Sequence, residues 1–155
     1  MDGFSQKNAA DYFKSGRLKE DSLKDYRAAM LDFSKAIQLD SANYNLWYHR
    51  GRCKDALGDH LGAIHDFNRA IELNPYVPAV YYSRGDAKAE IWDYTGSQID
   101  IAKAKQLKPQ LAKILYVRGV SKFKSGNLKA ACIDWEKAHE TGSPEAKKMI
   151  DEHCK

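Results

Sequence analysis

A glycine returns at positions 51, 85 and 119, and an alanine at 70, 104 and 138, each step being 34 residues. A recurrence that strict marks a chain built from copies of one unit, and this unit has room for two short helices with their turns. No single helical hairpin can bury its apolar face alone, so the copies must stack and share a continuous core. The clearest copy runs from Tyr44 to Pro75. Within it Leu46, Trp47, Cys53 and Leu57, stopped by Gly58, predict a first helix, and Leu61, Ile64, Phe67, Ile71 and Leu73, closed by Asn74-Pro75, predict a second.

The turns and crossings repeat as well. Asp59 stands where the second helix needs a side chain to accept from its free amides, and Asp25, Asp93 and Asn127 hold the same place in the other copies. Small residues recur where two helices approach: Gly51, Ala63 and Ala70, then Gly85, Ser97 and Ala104, then Gly119, Ala131 and Ala138. The copies are predicted to turn into one another at Asp40-Ser41, Asn74-Pro75 and Lys108-Pro109. Arg50, Arg84 and Arg118 each precede the repeat glycine, and Asp32, Asp66, Asp100 and Asp134 each lie in a second helix. An unpaired guanidinium at a helix crossing is costly, so Arg50, Arg84 and Arg118 are expected to meet Asp66, Asp100 and Asp134 of their own or an adjoining hairpin. The first copy has Ser15 in place of the arginine, which leaves Asp32 to Arg17 or Lys19.

The spacing W-Y-x-x-G, with L-G-D, A-I-x-x-F and A-I-E-L-N-P, resembles the tetratricopeptide repeat, or TPR. The likeness is closest over 44–77, clear over 78–111 and 112–141, and looser over about 9–43, with a capping helix over 144–154. It implies an all-α fold, a right-handed superhelix of four hairpins plus that C-terminal cap, forming one domain over 1–155. It also implies a concave groove, lined by the first helices, that holds a protein or peptide. Three residues before each repeat glycine stand Phe13, Tyr48, Tyr82 and Tyr116, and one residue after it stand Arg17, Arg52, Asp86 and Val120. The first column offers four rings, three of them with polar tips, and the second a graded charge, suited to gripping a segment in one direction. Members that hold acidic chaperone tails use a carboxylate clamp; its matching places here are Phe13, Arg17, His49, Ala79 and Ser83, and only Arg17 is basic, so that role is not expected.

Composition narrows the remaining classes. No apolar run approaches the ~18 residues of a membrane span, and the N-terminus lacks a basic start followed by an apolar stretch, so a cytoplasmic protein is expected. The formal net charge is +4. Between Ile101 and Ile133 there is no acidic residue and eight basic ones, which reads as solvated surface ahead of a nucleic-acid or anionic-surface site. No nucleophile motif or phosphate loop is present, so neither catalysis nor a cofactor is expected. His49 and Cys53 share a helix face, but no third ligand accompanies them, and no metal site is predicted. Trp92, where the preceding copy has Gly58, is expected to fold back over its hairpin; the alternative is a contact that joins two copies, which a stack end could also make.

Ser143-Pro144 starts the last helix, and two antiparallel helices joined near 143 bring Cys132 beside Cys154. A disulfide is open to them if their Cα atoms lie within about 7 Å, while a reduced pair is the expected state in a cytoplasmic protein. The closing run C-I-D-W-E-K-A-x-x-x-G-S-x-E-A also resembles the last repeat of bacterial TPR proteins that end near a cysteine.

Overall fold

A helix leaves its first amides unanswered, and each second helix of a hairpin here begins with a side chain that answers them. Asp25, Asp59 and Asp93 accept from the N–H groups of Ala28, Gly62 and Gly96 at 3.0, 3.0 and 2.9 Å, and the Asn127 side chain accepts from Ala130 at 3.1 Å. Asn8 and Asp11 close a reciprocal box at the first helix. Ser143 caps the last, with Pro144 as its first residue. The computed structural model describes residues 7–154, which form eight helices and no strand: α1 (Ala9–Asp21), α2 (Tyr26–Leu39), α3 (Tyr44–Ala56), α4 (His60–Leu73), α5 (Pro78–Glu90), α6 (Tyr94–Lys124), α7 (Leu128–Glu140) and α8 (Pro144–His153). The fold is all-α. The chain divides into two compact units, Met1–Ala102 and Lys103–Lys155.

In the first unit α1 pairs with α2 and α3 with α4, while α2 packs on α3 and α4 on α5. The repeated small residues make these crossings close. A Cβ added to Gly16 or Gly51 would stand 2.7 Å from the ring of Phe33 or Phe67, so each ring lies directly on a glycine backbone. Both rings are fully buried, worth roughly 1.5–3 kcal/mol apiece. The third crossing is looser, since a Cβ on Gly85 would meet the Ser97 carbonyl at 3.2 Å. Three clusters fill the space between hairpins: Ala29, Phe33 and Cys53; Ala36, Ile37 and Leu46; and Ala63, Phe67, Ala70, Val80 and Ala87.

The second unit gathers Leu115, Ala131, Trp135, Ala138 and Ala146 into one cluster. Trp135 takes the place that Phe33 and Phe67 hold earlier, against Gly119. α7 and α8 pack together and join Cys132 to Cys154 in a disulfide with Cα atoms 5.7 Å apart. The expected reduced pair is thereby corrected: antiparallel packing sets the two side chains within bonding reach.

The residue before each second-helix cap adopts a left-handed backbone: Lys24 at φ 53°, Gly58 at 84°, Trp92 at 67° and Gly126 at 83°. Glycine fits there without a Cβ penalty, whereas another residue loses roughly 1–2 kcal/mol. Trp92 does not fold back over its hairpin as expected. It is 78% exposed and meets the edge of Tyr94 with centroids 6.1 Å apart.

The junctions between repeats show a larger departure. After α2, Asp40 Oδ1 accepts from Ala42 N at 3.2 Å; after α4, Asn74 Oδ1 accepts from Tyr76 N at 3.2 Å. These local bonds offer the backbone an alternative to continuing the helix. A ring from the next helix then ties each turn, Trp47 Nε1 donating to Ser41 O at 3.0 Å and Tyr81 Oη to Pro75 O at 3.2 Å. At the third junction Lys108 stands in place of the acceptor, and Leu115 in place of the aromatic donor. The predicted turn at Lys108-Pro109 is absent, and α6 runs through with Pro109 inside it, despite the ~3 kcal/mol that an interior proline costs. The second helix of repeat three and the first of repeat four are one element, which leaves eight helices where nine were expected.

Candidate functional site

Buried charge organises the helix crossings. Arg50 donates to both oxygens of Asp66 at 2.7 and 2.8 Å, and Arg118 to both of Asp134 at 2.7 Å. Arg84 grips Asp100 in the same two-pronged way. Each aspartate also holds a lysine from one turn further along: Lys54 at 3.0 Å, Lys88 at 2.9 Å and Lys122 at 2.7 Å. In repeat one Asp32 accepts from Ser15 and from Lys19, each at 2.6 Å. Arg17 turns elsewhere. Burial pushes the Asp66 and Asp100 carboxyls up, but hydrogen bonds from their arginine and lysine partners outweigh it and hold both below the usual carboxylate range. At Asp134 the Arg118 hydrogen bond is the leading influence, with the same downward result.

On the first-helix side of repeats one and two, α1 and α3 meet around Glu20, which is 1% exposed. Its carboxylate lies 2.8 Å from His49 Nδ1 and 3.0 Å from an Arg52 nitrogen. His49 Nε2 lies 3.0 Å from Arg17 Nη1. A guanidinium can only donate, so Nε2 accepts and the ring proton sits on Nδ1, directed at Glu20. Arg17 also pairs with Asp21; that hydrogen bond lowers the Asp21 pKa. Three rings enclose His49: Phe13 edge-on at 5.5 Å, Tyr48 edge-on at 5.1 Å and Phe33 stacked at 5.5 Å. Arg52 lies 5.9 Å from the Tyr48 centroid. Both nitrogens of His49 are engaged, and burial followed by the Glu20 charge pushes the Cys53 thiol up to about 12. This pair is packed wiring, and no group of three metal-binding side chains occurs among the described residues.

Phe13, Arg17, Tyr48 and Arg52 thus share one constellation. Tyr82 is half-buried and Asp86 exposed on α5 of the same unit. In the second unit Tyr116 and Val120 lean on the Trp135 cluster. Tyr116 lines a cavity of about 440 Å³ with Lys113, Val117, Ser143 and Glu145. Of the eight basic residues between 101 and 133, Arg118 and Lys122 are held by Asp134. Glu20 belongs to no column that recurs through all the repeats, and its sequence signal is one of two adjacent acids, Glu20 and Asp21, three and four residues after Arg17. Lys54, Lys88 and Lys122 do recur at the repeat step, four residues after each arginine, and were legible in the same way as the arginines.

With hairpins, crossings and wiring in place, likeness to known proteins is informative. Residues 12–43 and 44–76 match the tetratricopeptide-repeat family profile. Over residues 12–76 the chain matches two tetratricopeptide repeats. Among solved TPR-like structures, MamA aligns with a TM-score of 0.64 at 22% identity, over 90% of this chain and 81% of its own. The Arabidopsis OM64 TPR domain gives 0.63 at 24% identity, over 66% and 84%. The translocator chaperone SycD of Yersinia enterocolitica type III secretion gives 0.60 at 17% identity, over 64% and 73%. At these identities the likeness establishes the TPR fold alone. No curated protein matches the chain. Among the described residues no helix is long and apolar enough to cross a membrane.

Proposed function

We propose that this TPR chain is a non-catalytic scaffold that holds a peptide or protein segment against the first-helix faces of its repeats. The observation that carries the reading is the pair Arg17 and Arg52. Each keeps 41% of its side chain exposed while Glu20, 1% exposed, anchors both from beneath. Charged donors held in place by Glu20, Asp21 and His49, with Arg52 over the Tyr48 ring, are pre-organised for a polar chain, which limits the ordering cost of binding. Tyr82 and Asp86 extend the surface within the first unit, and Tyr116 and Val120 with the cavity beside Lys113 supply another in the second. SycD, which shares the fold, is a translocator chaperone, a protein-binding role of the same general kind.

A photo-crosslinking residue at Arg52 or Tyr82 should capture bound protein, one at Arg69 on α4 should not, and Tyr48→Ala with Tyr82→Ala and Tyr116→Ala should abolish capture without loss of helicity. Capture that is stronger from position 69, or that survives the triple substitution, refutes the assignment. One observation favours a second reading, self-association through Trp92. An exposed indole on a left-handed backbone is a strained display of apolar surface. Sedimentation of Trp92→Ala beside wild type decides it, an unchanged mass distribution counting against.

A further inference from the structure

The repeat register gives a cover to each first-helix stripe and then leaves one bare. Leu46 in α3 and Val80 in α5 are 1% and 0% exposed; 34 residues on, Ile114 in α6 is 50% exposed. His49 is 5% exposed, whereas Val117, two steps later, is 56% exposed. Cys53 and Ala87 are fully buried, and Ser121, next in that series, is exposed. Residues 114, 117 and 121 form one stripe along a helix. In α3 the equivalent stripe lies under α2, through Ala36, Ile37, Ala29 and Phe33. In α5 it lies under α4, through Ala63, Phe67 and Ala70. The cover is each time the second helix of the preceding hairpin. For Ile114 that helix is the N-terminal stretch of α6 itself, which cannot fold onto its own continuation while α6 is unbroken at Pro109.

We propose that the stripe is covered by repeat three of a second copy of this chain, two copies exchanging these hairpins reciprocally across their extended α6 helices. The contact would continue an interface the chain already makes twice, α2 on α3 and α4 on α5. Exchange of an identical element needs no new surface. Charge agrees. Residues 78–102 carry two basic side chains, Arg84 and Lys88, against four acidic ones, Asp86, Glu90, Asp93 and Asp100, whereas 103–129 carry eight basic and no acidic. The exchange does not rest on Trp92, and it meets the surface proposed for partners at Val117, which lines the cavity beside Tyr116.

Ile101→Cys with Ile114→Cys, in a Cys53→Ser background that keeps the Cys132–Cys154 bond, tests it. Phe67 and Val80, one repeat earlier, belong to one cluster. Positions 101 and 114 are 13 residues apart, about 20 Å along an unbroken helix, beyond the ~7 Å Cα reach of a disulfide. Mild oxidation is expected to yield covalent dimers linking 101 of one chain to 114 of the other, and sedimentation of wild type is expected to give two copies. Lys108→Asn with Leu115→Tyr returns both devices that hold the turn after Asn74; it should shift the protein to a monomer of unchanged helicity, and oxidation should then close the bridge within one chain. A bridge within one chain of the Lys108 parent, no bridge at all, or a wild-type monomer at every concentration overturns the exchange.

Discussion

Replacing Asp66, Asp100 and Asp134 one at a time by alanine separates two accounts of the charge wiring. All three carboxylates are almost wholly buried, and each accepts from one arginine and one lysine, so counting bonds predicts equal losses. The cations differ. Arg50 and Lys54 beside Asp66 are 17% and 20% exposed, and Arg84 and Lys88 beside Asp100 are 18% and 20% exposed. Arg118 and Lys122 beside Asp134 are 53% and 34% exposed. When the carboxylate goes, the first four charges are stranded where water reaches poorly, a situation that costs about 3–5 kcal/mol. The last two can rehydrate in place, which brings the loss towards the ~1 kcal/mol typical of exposed pairs. A gap of about 2 kcal/mol moves a urea midpoint by roughly 1 M for a small domain. Denaturation followed by circular dichroism should therefore rank Asp66→Ala and Asp100→Ala together and well below Asp134→Ala. If Asp134→Ala is as damaging as the other two, the argument from cation hydration is wrong.

Acid should act through the same carboxylates. Their folded pKa values are depressed, so the unfolded chain binds more protons below about pH 4; the stability they contribute is present above that range and lost as pH falls through the folded pKa. Between about pH 5 and pH 3 an Asp66→Asn variant should lose less stability than wild type, and parallel urea midpoints at the two pH values show whether it does. Glycine substitutions should rank with crossing distance: Gly85→Ala should stay within about 1 kcal/mol of wild type, because added helix propensity offsets a mild contact, whereas Gly51→Ala and Gly119→Ala should lose about 1–3 kcal/mol, and equal melting temperatures for the three would show that the rings yield freely. Trp92→Gly should raise stability by about 1 kcal/mol by removing a Cβ from a left-handed backbone; a lowered urea midpoint would mean that the indole holds the turn.

The sequence announced whatever recurs. Caps at Asp25, Asp59, Asp93 and Asn127, close crossings at Gly51 and Gly119, and the arginine–aspartate pairs could be read because one place fills with the same chemistry three or four times. What fails to recur was harder to see. Lys108-Pro109 looked like Asn74-Pro75 because the proline matched, yet the turn depends on an oxygen at residue 74 and a donor at residue 81, and positions 108 and 115 lack both. Glu20 escaped for a related reason: its role comes from Arg17, His49 and Arg52 converging from two helices, and no spacing along one helix reveals that. Trp92 occupies a glycine's place, and its side chain had too few neighbours in reach to draw it back.

The wiring of each crossing also bears on how such a chain can change length over time. Arg50 and Lys54 share Asp66 inside a single hairpin, as Arg84 and Lys88 share Asp100. A gene segment encoding one hairpin can be duplicated or deleted without taking the carboxylate from the cations of the copies on either side, so growth by whole units leaves the ion pairs of the remainder intact.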